Sequence, residues 1–392
     1  MKKGWAIKRL GDVCKFDKVQ GIYRGLPYVG LEHIESQTAH FIGSKEPQSV
    51  KSSTFKFSSE HVLYGRLRPY LNKVLAPDFT GHCSTEIFPI KPKPELSRPY
   101  LLYWLLSDEI MERINATCTG ARMPRADMHE VLGFEFPLPP LPEQQRIVGI
   151  LDDAFAGIAT AKANAEKNLQ NARALFESHL NDVFTRRGEG WIEKPISEIA
   201  KNSLGKMLDK AKNRGDGRPY LRNLNVRWFK FDLDNLLEMK FTADEREKYT
   251  VVRGDVVICE GGYPGRAAIW DSDEPIYFQK ALHRVRFREP EHSKWFLYFL
   301  YLQESTGRLR KHFTGTGIQH FTAEALSKLQ LPLAPMKVIK KQVTEFDNIA
   351  SETQRLESIY RRKLAALDEL KKSLLHQAFT GELGNKPQRV YV

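Results

Sequence analysis

The sequence predicts a mixed α/β protein built by pseudo-two-fold internal duplication, with two globular modules joined by two long antiparallel coiled-coil helices. Three observations carry that expectation. The chain is written twice, each copy mixes short strand-like runs with a short helix, and each copy closes on a proline-rich hinge that opens a long periodic segment.

The duplication comes first because it sets the frame for every other element. Gly4-Trp5 returns as Gly190-Trp191, GLPYVGL (25–31) as GRPYLRNL (217–224), and PELSRPYLLYWLLSDE (94–109) as PEHSKWFLYFLYLQES (290–305). FPLPP (136–140) returns as LPLAP (331–335), and DVFT (182–185) as QAFT (377–380). The offset grows from 186 to 192 and then to 195–196, so the copies differ by small loop insertions. A period this long marks a duplicated module, since solenoid repeats run to about 20–50 residues.

Within the copies, HVLYGRL and VVRGDVVICEGG read as strands bounded by turns, and CEGGYPGRAA (259–268) as a tight strand–turn–strand. YLLYWLLSDEIMERI (100–114) reads as one buried amphipathic helix, and DNLLEMK (234–240) as helical. Pro137, Pro139, Pro140 and Pro142 make a stiff, extended exit. Pro142 fits the first helical turn, where its missing N–H is not needed, and Glu143 faces the positive helix end.

The long segments follow. Residues 338–379 carry a heptad with Phe346, Thr353, Tyr360, Leu367 and Leu374 on one line. Ile349, Leu356, Lys363, Leu370 and Gln377 form the other, with Leu364 covering the break at Lys363. Residues 143–184 show similar spacing through Ile147, Ile150, Phe155, Ile158, Ala165, Ala172, Leu175 and Val183. A stripe this narrow suits helix pairing better than burial in a globular core. The expected boundaries are 1–142 and 187–337 for the modules, 143–186 and 338–384 for the helices, and 385–392 for a tail.

Bulk properties bound the function. No apolar run approaches the roughly 20 residues of a membrane span, and the start lacks an apolar signal segment, so no membrane is expected. Four scattered cysteines without metal-like spacing point to a reducing, cytoplasmic setting. The formal charge of +12 lies mostly in the modules. Residues 1–142 hold 19 Lys and Arg against 15 Asp and Glu, and residues 187–337 hold 26 against 20. Most basic proteins of this size bind no nucleic acid, but such a balance strengthens the case for it as a partner. No Walker-type GxxxxGK[ST] occurs, no Asn/Asp-Pro-Pro-Tyr/Phe motif, and no HExxH, so catalytic and metal residues are not expected.

FPLPPLPEQQRIVGILDD, together with the doubled layout, resembles the specificity subunit of type I restriction-modification enzymes, and the resemblance extends over the whole chain. VLYGRLRPYLNKV with CSTEIFPIKP looks like one type of recognition domain in that family, and YTVVRGDVVICEGGYPGRAAIW with FQKALHRVRF like another. The second hinge, LPLAPMKVIKKQV, departs from the pattern, with neither a Pro-Pro pair nor Glu-Gln. The resemblance implies a subunit that does no chemistry and binds no cofactor of its own. It implies double-stranded DNA as a partner, read as a bipartite asymmetric target, one half per module. It further implies two modification subunits that methylate adenine N6 from S-adenosylmethionine, and two restriction subunits that use ATP and Mg. A stand-alone DNA-bridging protein, or a basic scaffold without sequence reading, remains the contrasting reading.

Candidate DNA contacts are side chains able to neutralise phosphates or read base edges. In the first module these are Tyr23, Arg24 and Tyr28, the cluster Arg66, Arg68, Tyr70, Asn72 and Lys73, and Arg122 and Arg125. Packing of Pro69 and Tyr70, with only the charges on phosphate, is the alternative. In the second module they are Lys206, Lys210, Lys212, Arg214, Arg222, Asn223, Asn225 and Arg227, then Glu260, Arg266, Gln319 and His320. The loops holding Arg122, Arg125, Gln319 and His320 could equally cap helices. The apolar helix positions, Ile147, Ile150, Phe155 and Ile158 with Phe346, Ile349, Leu356, Tyr360, Leu367, Leu370 and Leu374, are candidates for helix pairing and for docking the modification subunits.

Overall fold

The computed structural model describes residues 4–120, 122–209 and 211–384; Lys210 and the 385–392 tail lie outside them. Contacts divide the chain into two compact units, Met1–Glu166 with Arg361–Val392, and Lys167–Tyr360. Each unit therefore owns one module and a stretch of both long helices, Leu141–Thr185 and Met336–Thr380.

The first unit opens and closes its module on one two-stranded ribbon, Ala6–Arg9 antiparallel to Glu135–Leu138. Between them lie two four-stranded sheets. One is antiparallel, in the order Cys14–Phe16, Ile87–Pro92, Val62–Gly65, Val74–Leu75. The other runs Gln20–Gly21, Thr54–Phe57, Gly81–Cys83, Tyr28–Val29, its last pair parallel. The second unit repeats the plan. Ile192–Pro195 pairs with Gln330–Leu333, and Ala200–Leu204, Leu282–Phe287, Val256–Cys259 and Ala267–Ile269 form the antiparallel sheet. The parallel pair recurs as Asp216–Leu221 beside Ile276–Phe278. The copies differ at sheet edges: Gln20–Gly21 flanks Thr54–Phe57 in one, whereas Leu237–Phe241 flanks Asp216–Leu221 in the other.

That last strand corrects the helical expectation for 234–240. Met239 and Phe241 are buried while Glu238 and Lys240 are exposed, so a period of two wins over a short leucine pair. The expected single helix over 100–114 is also two, Arg98–Leu106 and Asp108–Ala116, parted at Ser107. Ser107 takes an extended backbone (φ −69°, ψ 142°) and its hydroxyl donates to the Trp104 carbonyl at 2.7 Å. A serine hydroxyl competes with the helix for such carbonyls. The second copy has Leu302 at the equivalent place, and its helix Glu291–Ser305 runs through unbroken.

The hinge is more than a stiff exit. Phe136, Pro137 and Leu138 belong to the closing strand, paired with the module's own first strand in the register Ile7↔Pro137. Pro140 then starts the helix: its carbonyl accepts from the amides of Glu143 (2.9 Å) and Gln144 (3.1 Å). Pro335 does the same for Val338 (2.8 Å) and Ile339 (3.1 Å). Gln144 itself is fully buried. Its Oε1 accepts from the Ser97 amide at 2.8 Å, and its Nε2 donates to the carbonyls of Glu95 (2.9 Å) and Pro139 (2.8 Å). The equivalent residue in the second copy is Ile339, also fully buried. One copy thus closes this joint with an amide, the other with an apolar side chain.

Each module also receives a helix end. Phe379 packs edge-on against Tyr100 (5.2 Å between rings), beside Leu375, Ala378 and Leu383. Phe184 packs against Trp295 (4.5 Å) and Phe299 in the second unit. The matching DVFT and QAFT are therefore the buried ends of the helices.

Within each unit the helices run antiparallel: Lys162 pairs with Asp368 in the first, and Arg173 with Glu357 and His179 with Glu345 in the second. On the first helix Ile147, Leu151, Ile158, Ala165, Ala172, Phe176 and Leu180 are buried, with Ile150 and Phe155 half-buried. Leu175, expected in the stripe, is 69% exposed. On the second helix the line Phe346, Thr353, Tyr360, Leu367, Leu374 faces inward. Its companion line is Ala350, Glu357, Leu364, Lys371, Ala378, one residue beyond the expected one. Ile349 and Leu356 are half-buried, but Lys363 and Leu370 are exposed, so the pairing role expected of Leu370 passes to its neighbour. Lys371 can sit there because its amine donates to the Gln37 carbonyl (2.9 Å) and lies over the Phe155 ring. Burial lowers its pKa. Among the described residues no helix is long and apolar enough to cross a membrane.

Candidate nucleic-acid interface

The sequence-selected residues divide into those that hold the modules together and those that face outward. Lys206 belongs to the first group. It is buried, and its amine donates to Glu245 (2.5 Å) and to the Lys240 carbonyl (2.9 Å). Burial works to raise the Glu245 carboxyl, yet the Lys206 ammonium and the Thr242 amide together hold it below its ordinary value. Lys206 is therefore an internal tie rather than a phosphate contact. Asn225 is buried too, accepting from the Arg222 amide (2.9 Å) and donating to the Asp232 carbonyl (2.9 Å). Asn72 is buried in a left-handed turn at φ 41°, and Lys73 donates to the Leu31 carbonyl at 2.6 Å. Tyr23 and Tyr28 pack around the buried His82 ring, and burial, then Glu32, raises the Tyr28 phenol. For these six, residue type suggested DNA while packing supplies an internal partner.

Other residues are half-engaged. Arg222 donates to the Asn235 carbonyl, and Arg227 to Leu224 and Asp232. Trp228 packs at a tilt against Phe229 and edge-on against Tyr301. Arg24, Arg68, Arg122, Lys212, Arg214 and Gln319 are exposed. Tyr70 is 46% exposed, while Pro69 beside it is buried.

Part of the outward set gathers at one junction in each module, while Arg24, Lys212 and Arg214 lie on other segments. In the first, the strand Val62–Gly65 runs out into Arg66, Leu67 and Arg68, and the loop 119–125 docks on it through the bridge Leu67↔Arg125. Glu86 holds both arginines there: Arg125 Nε donates to it at 2.9 Å, and Arg66 lies 3.3 Å away. That bond to Glu86 raises the Arg125 pKa. In the second module the strand Val256–Cys259 runs out into Glu260, Gly261 and Gly262, and the loop 314–320 docks through Gly261↔His320. His320 Nδ1 sits 3.1 Å from both Glu260 oxygens. Asn223 donates to the Gly261 carbonyl (3.2 Å), while Arg266 donates to the Asn223 carbonyl (2.9 Å) and covers the exposed Tyr263 ring. Gly262 needs its φ of 77° and its missing Cβ, which would stand 2.3 Å from Asn223 Nδ2.

Sequence reading missed one component. The turn Arg308–His312 presents Arg308, Arg310 and Lys311 to solvent, with Leu309 tucked against Gly265 of the hairpin. Its signal was the run RLRK between a Gly and the 314–320 loop. The junctions can neutralise phosphates and offer hydrogen bonds to base edges. Among the described residues no group of three His, Cys, Asp or Glu could hold a metal.

Comparison with known proteins gives the family and the fold. The family described as the type I restriction modification DNA specificity domain matches residues 2–170 and again 188–361. The chain is 28% identical to the EcoDI specificity subunit of Escherichia coli over 213 residues, spanning half of this chain and 47% of that protein. It is 23% identical to the MjaVIII specificity subunit of Methanocaldococcus jannaschii, over 97% of this chain and 93% of that one. A chain from a structure of type I R-M system assembly and conformational transition shares the fold with a TM-score of 0.82 at 21% identity, covering 98% of this chain and 99% of that one. The HsdS subunit from Thermoanaerobacter tengcongensis shares it at 0.64 and 20% identity, covering 98% of both. With both modules matched separately, and in the order the duplication demands, the chain belongs to the type I restriction-modification DNA specificity family.

Proposed function

We propose that this chain is the reading subunit of a type I restriction-modification complex. Each module reads one half of a bipartite, asymmetric DNA target, and the paired helices set the unread gap and dock two modification subunits. Those partners would bring S-adenosylmethionine to adenine N6, and two restriction subunits would bring ATP- and Mg-dependent chemistry; this chain orients, and does not react. The observation that carries the reading is the repeated junction. The same backbone frame appears twice with different side chains, Arg66, Arg68 and Arg125 in one and Glu260 and His320 in the other, where Gly262 bears none. Two copies of one frame bearing different polar groups suit two unlike half-sites.

The test is to exchange residues 1–142 for the corresponding module of a family relative and map N6-methyladenine in a host genome. One half of the methylated motif changes and the other stays. A change in both halves, or methylation without a motif, overturns the reading. Failure to copurify with a methyltransferase, together with equal binding to all duplexes, would favour the bridging protein instead.

A further inference from the structure

The two junctions are the same construction down to individual hydrogen bonds. In the first, the Arg66 amide donates to the Glu86 carbonyl (2.9 Å) and the Arg66 carbonyl accepts from Ala126 (2.9 Å). In the second, the Glu260 amide donates to the Ala281 carbonyl (2.9 Å) and the Glu260 carbonyl accepts from Phe321 (2.7 Å). Each loop closes on itself by a reciprocal pair, Thr119 with Arg125 (3.1 Å both ways) and Thr314 with His320 (2.9 Å both ways). Each turns on a left-handed glycine, Gly120 at φ 90° and Gly315 at φ 103°. Arg66 is thus the structural counterpart of Glu260, Arg125 of His320, and Glu86 of Ala281.

The chemistry at these matched places is inverted. In the first junction one carboxylate, Glu86, is engaged by two arginines, whose remaining N–H groups are donors. In the second the counterpart of that carboxylate is gone and an acid stands where the arginine was. An ionised carboxylate offers about four acceptor sites. The Glu260 side chain has one hydrogen-bonding partner among the described residues, the His320 ring, so acceptor capacity is left over. Its surroundings are basic: Arg266 across the hairpin, and the exposed Arg308, Arg310 and Lys311 beside the loop. A negative charge in a surface that must attract phosphates works against non-specific binding, so its retention calls for a partner that carries donors.

We infer that Glu260, oriented by His320, is the base-reading acceptor of the second module and takes an exocyclic amino group in the major groove, as cytosine N4 presents one. The matched position of the first module is a donor site, formed by the Arg66 and Arg125 guanidinium groups around Glu86, and suits the guanine N7/O6 edge. The two modules therefore read opposite hydrogen-bond polarity at one place in a shared frame. This inference rests on the two-module reading above and assigns the residues within it.

Glu260→Gln in the full complex, with its modification subunits, tests it. The variant keeps size and shape but adds donors and removes the charge. Genome-wide methylation should relax or switch at one base position, in the half-site that moves with residues 187–337, with discrimination there falling roughly 5- to 150-fold. Binding to a duplex lacking the motif should tighten, because a like charge has left the phosphate surface. If the motif stays whole and non-motif binding is unchanged, Glu260 is only a loop clip and the inference fails, while an intact bipartite motif keeps the two-module reading standing. A change in the half-site that moves with residues 1–142 also overturns it. Should Glu260→Gln not assemble, Glu260→Asp gives a second measurement: it keeps the charge but draws the acceptor back by one methylene, so discrimination at the same base position should fall, and an unchanged motif is equally fatal.

Discussion

The joint between first module and helix rests on one side chain, and Gln144→Ala measures it. Gln144 is fully buried and makes three hydrogen bonds, to Ser97 N, Glu95 O and Pro139 O, at 2.8–2.9 Å. At about 1 kcal/mol net for each, their loss costs about 3 kcal/mol. Leaving the Ser97 amide buried without an acceptor adds about 1–3 kcal/mol, so the first unit should lose on the order of 4–6 kcal/mol. Gln144→Ile, which copies Ile339, keeps volume and should cost less, yet it still strands the Ser97 amide. Urea-dependent hydrogen exchange read by mass spectrometry separates the units: peptides around 95–104 and 135–150 should lose protection, and peptides of 256–300 serve as the internal control. A loss below about 1 kcal/mol in the first unit would mean that water or backbone replaces the amide, and that the joint does not depend on it.

Four further outcomes follow from the same geometry. Lys206→Met should destabilise the second unit by about 1–3 kcal/mol, because it leaves the part-buried Glu245 carboxylate without its charged partner, without changing the salt dependence of DNA binding. Lys212→Ala with Arg214→Ala should instead lower the slope of log K against log salt by roughly one for each phosphate no longer neutralised, at unchanged stability. The Glu245 carboxyl lies below its ordinary value of 4.5 in the fold, so its contribution is complete above that pH and is lost as pH falls through the folded value. Acid titration of the second unit should show this loss, and Lys206→Met should remove it. Finally, seven residues inserted after Glu166 and seven after Tyr360 keep the seam in phase, and should lengthen the unread gap in the methylation map while both half-sites stay. An unchanged gap would refute the helices as its ruler.

The duplication, the hinge and the Phe346–Leu374 line could be read from the chain because each is a local pattern, a repeat, a proline string or a heptad phase. The second line of the seam could not. Leu370 is the more apolar residue, yet Lys371 points inward because the Gln37 carbonyl and the Phe155 ring, both remote in sequence, receive its amine. The break at Ser107 and the strand at Leu237–Phe241 failed for a related reason: one polar side chain and one edge pairing outweighed a short apolar pattern.

Residue type and spacing pointed to the segments that build the two junctions, 66–73, 119–128, 259–268 and 314–326, since Gly-bounded basic and polar loops are a sequence property. Which members of those segments and of the 206–230 stretch face outward was decided only by folding. Lys206 and Lys212 are the same residue type six positions apart, one buried on Glu245 and the other 86% exposed along its side chain. A sequence records a charge but not its neighbour, and the neighbour comes from strand pairing: Phe278 and Lys240, each more than 30 residues away, fix where Lys206 lies. Likewise Arg66 and Glu260 share no local pattern, and only the matched backbone bonds to Glu86 and Ala281 reveal them as counterparts.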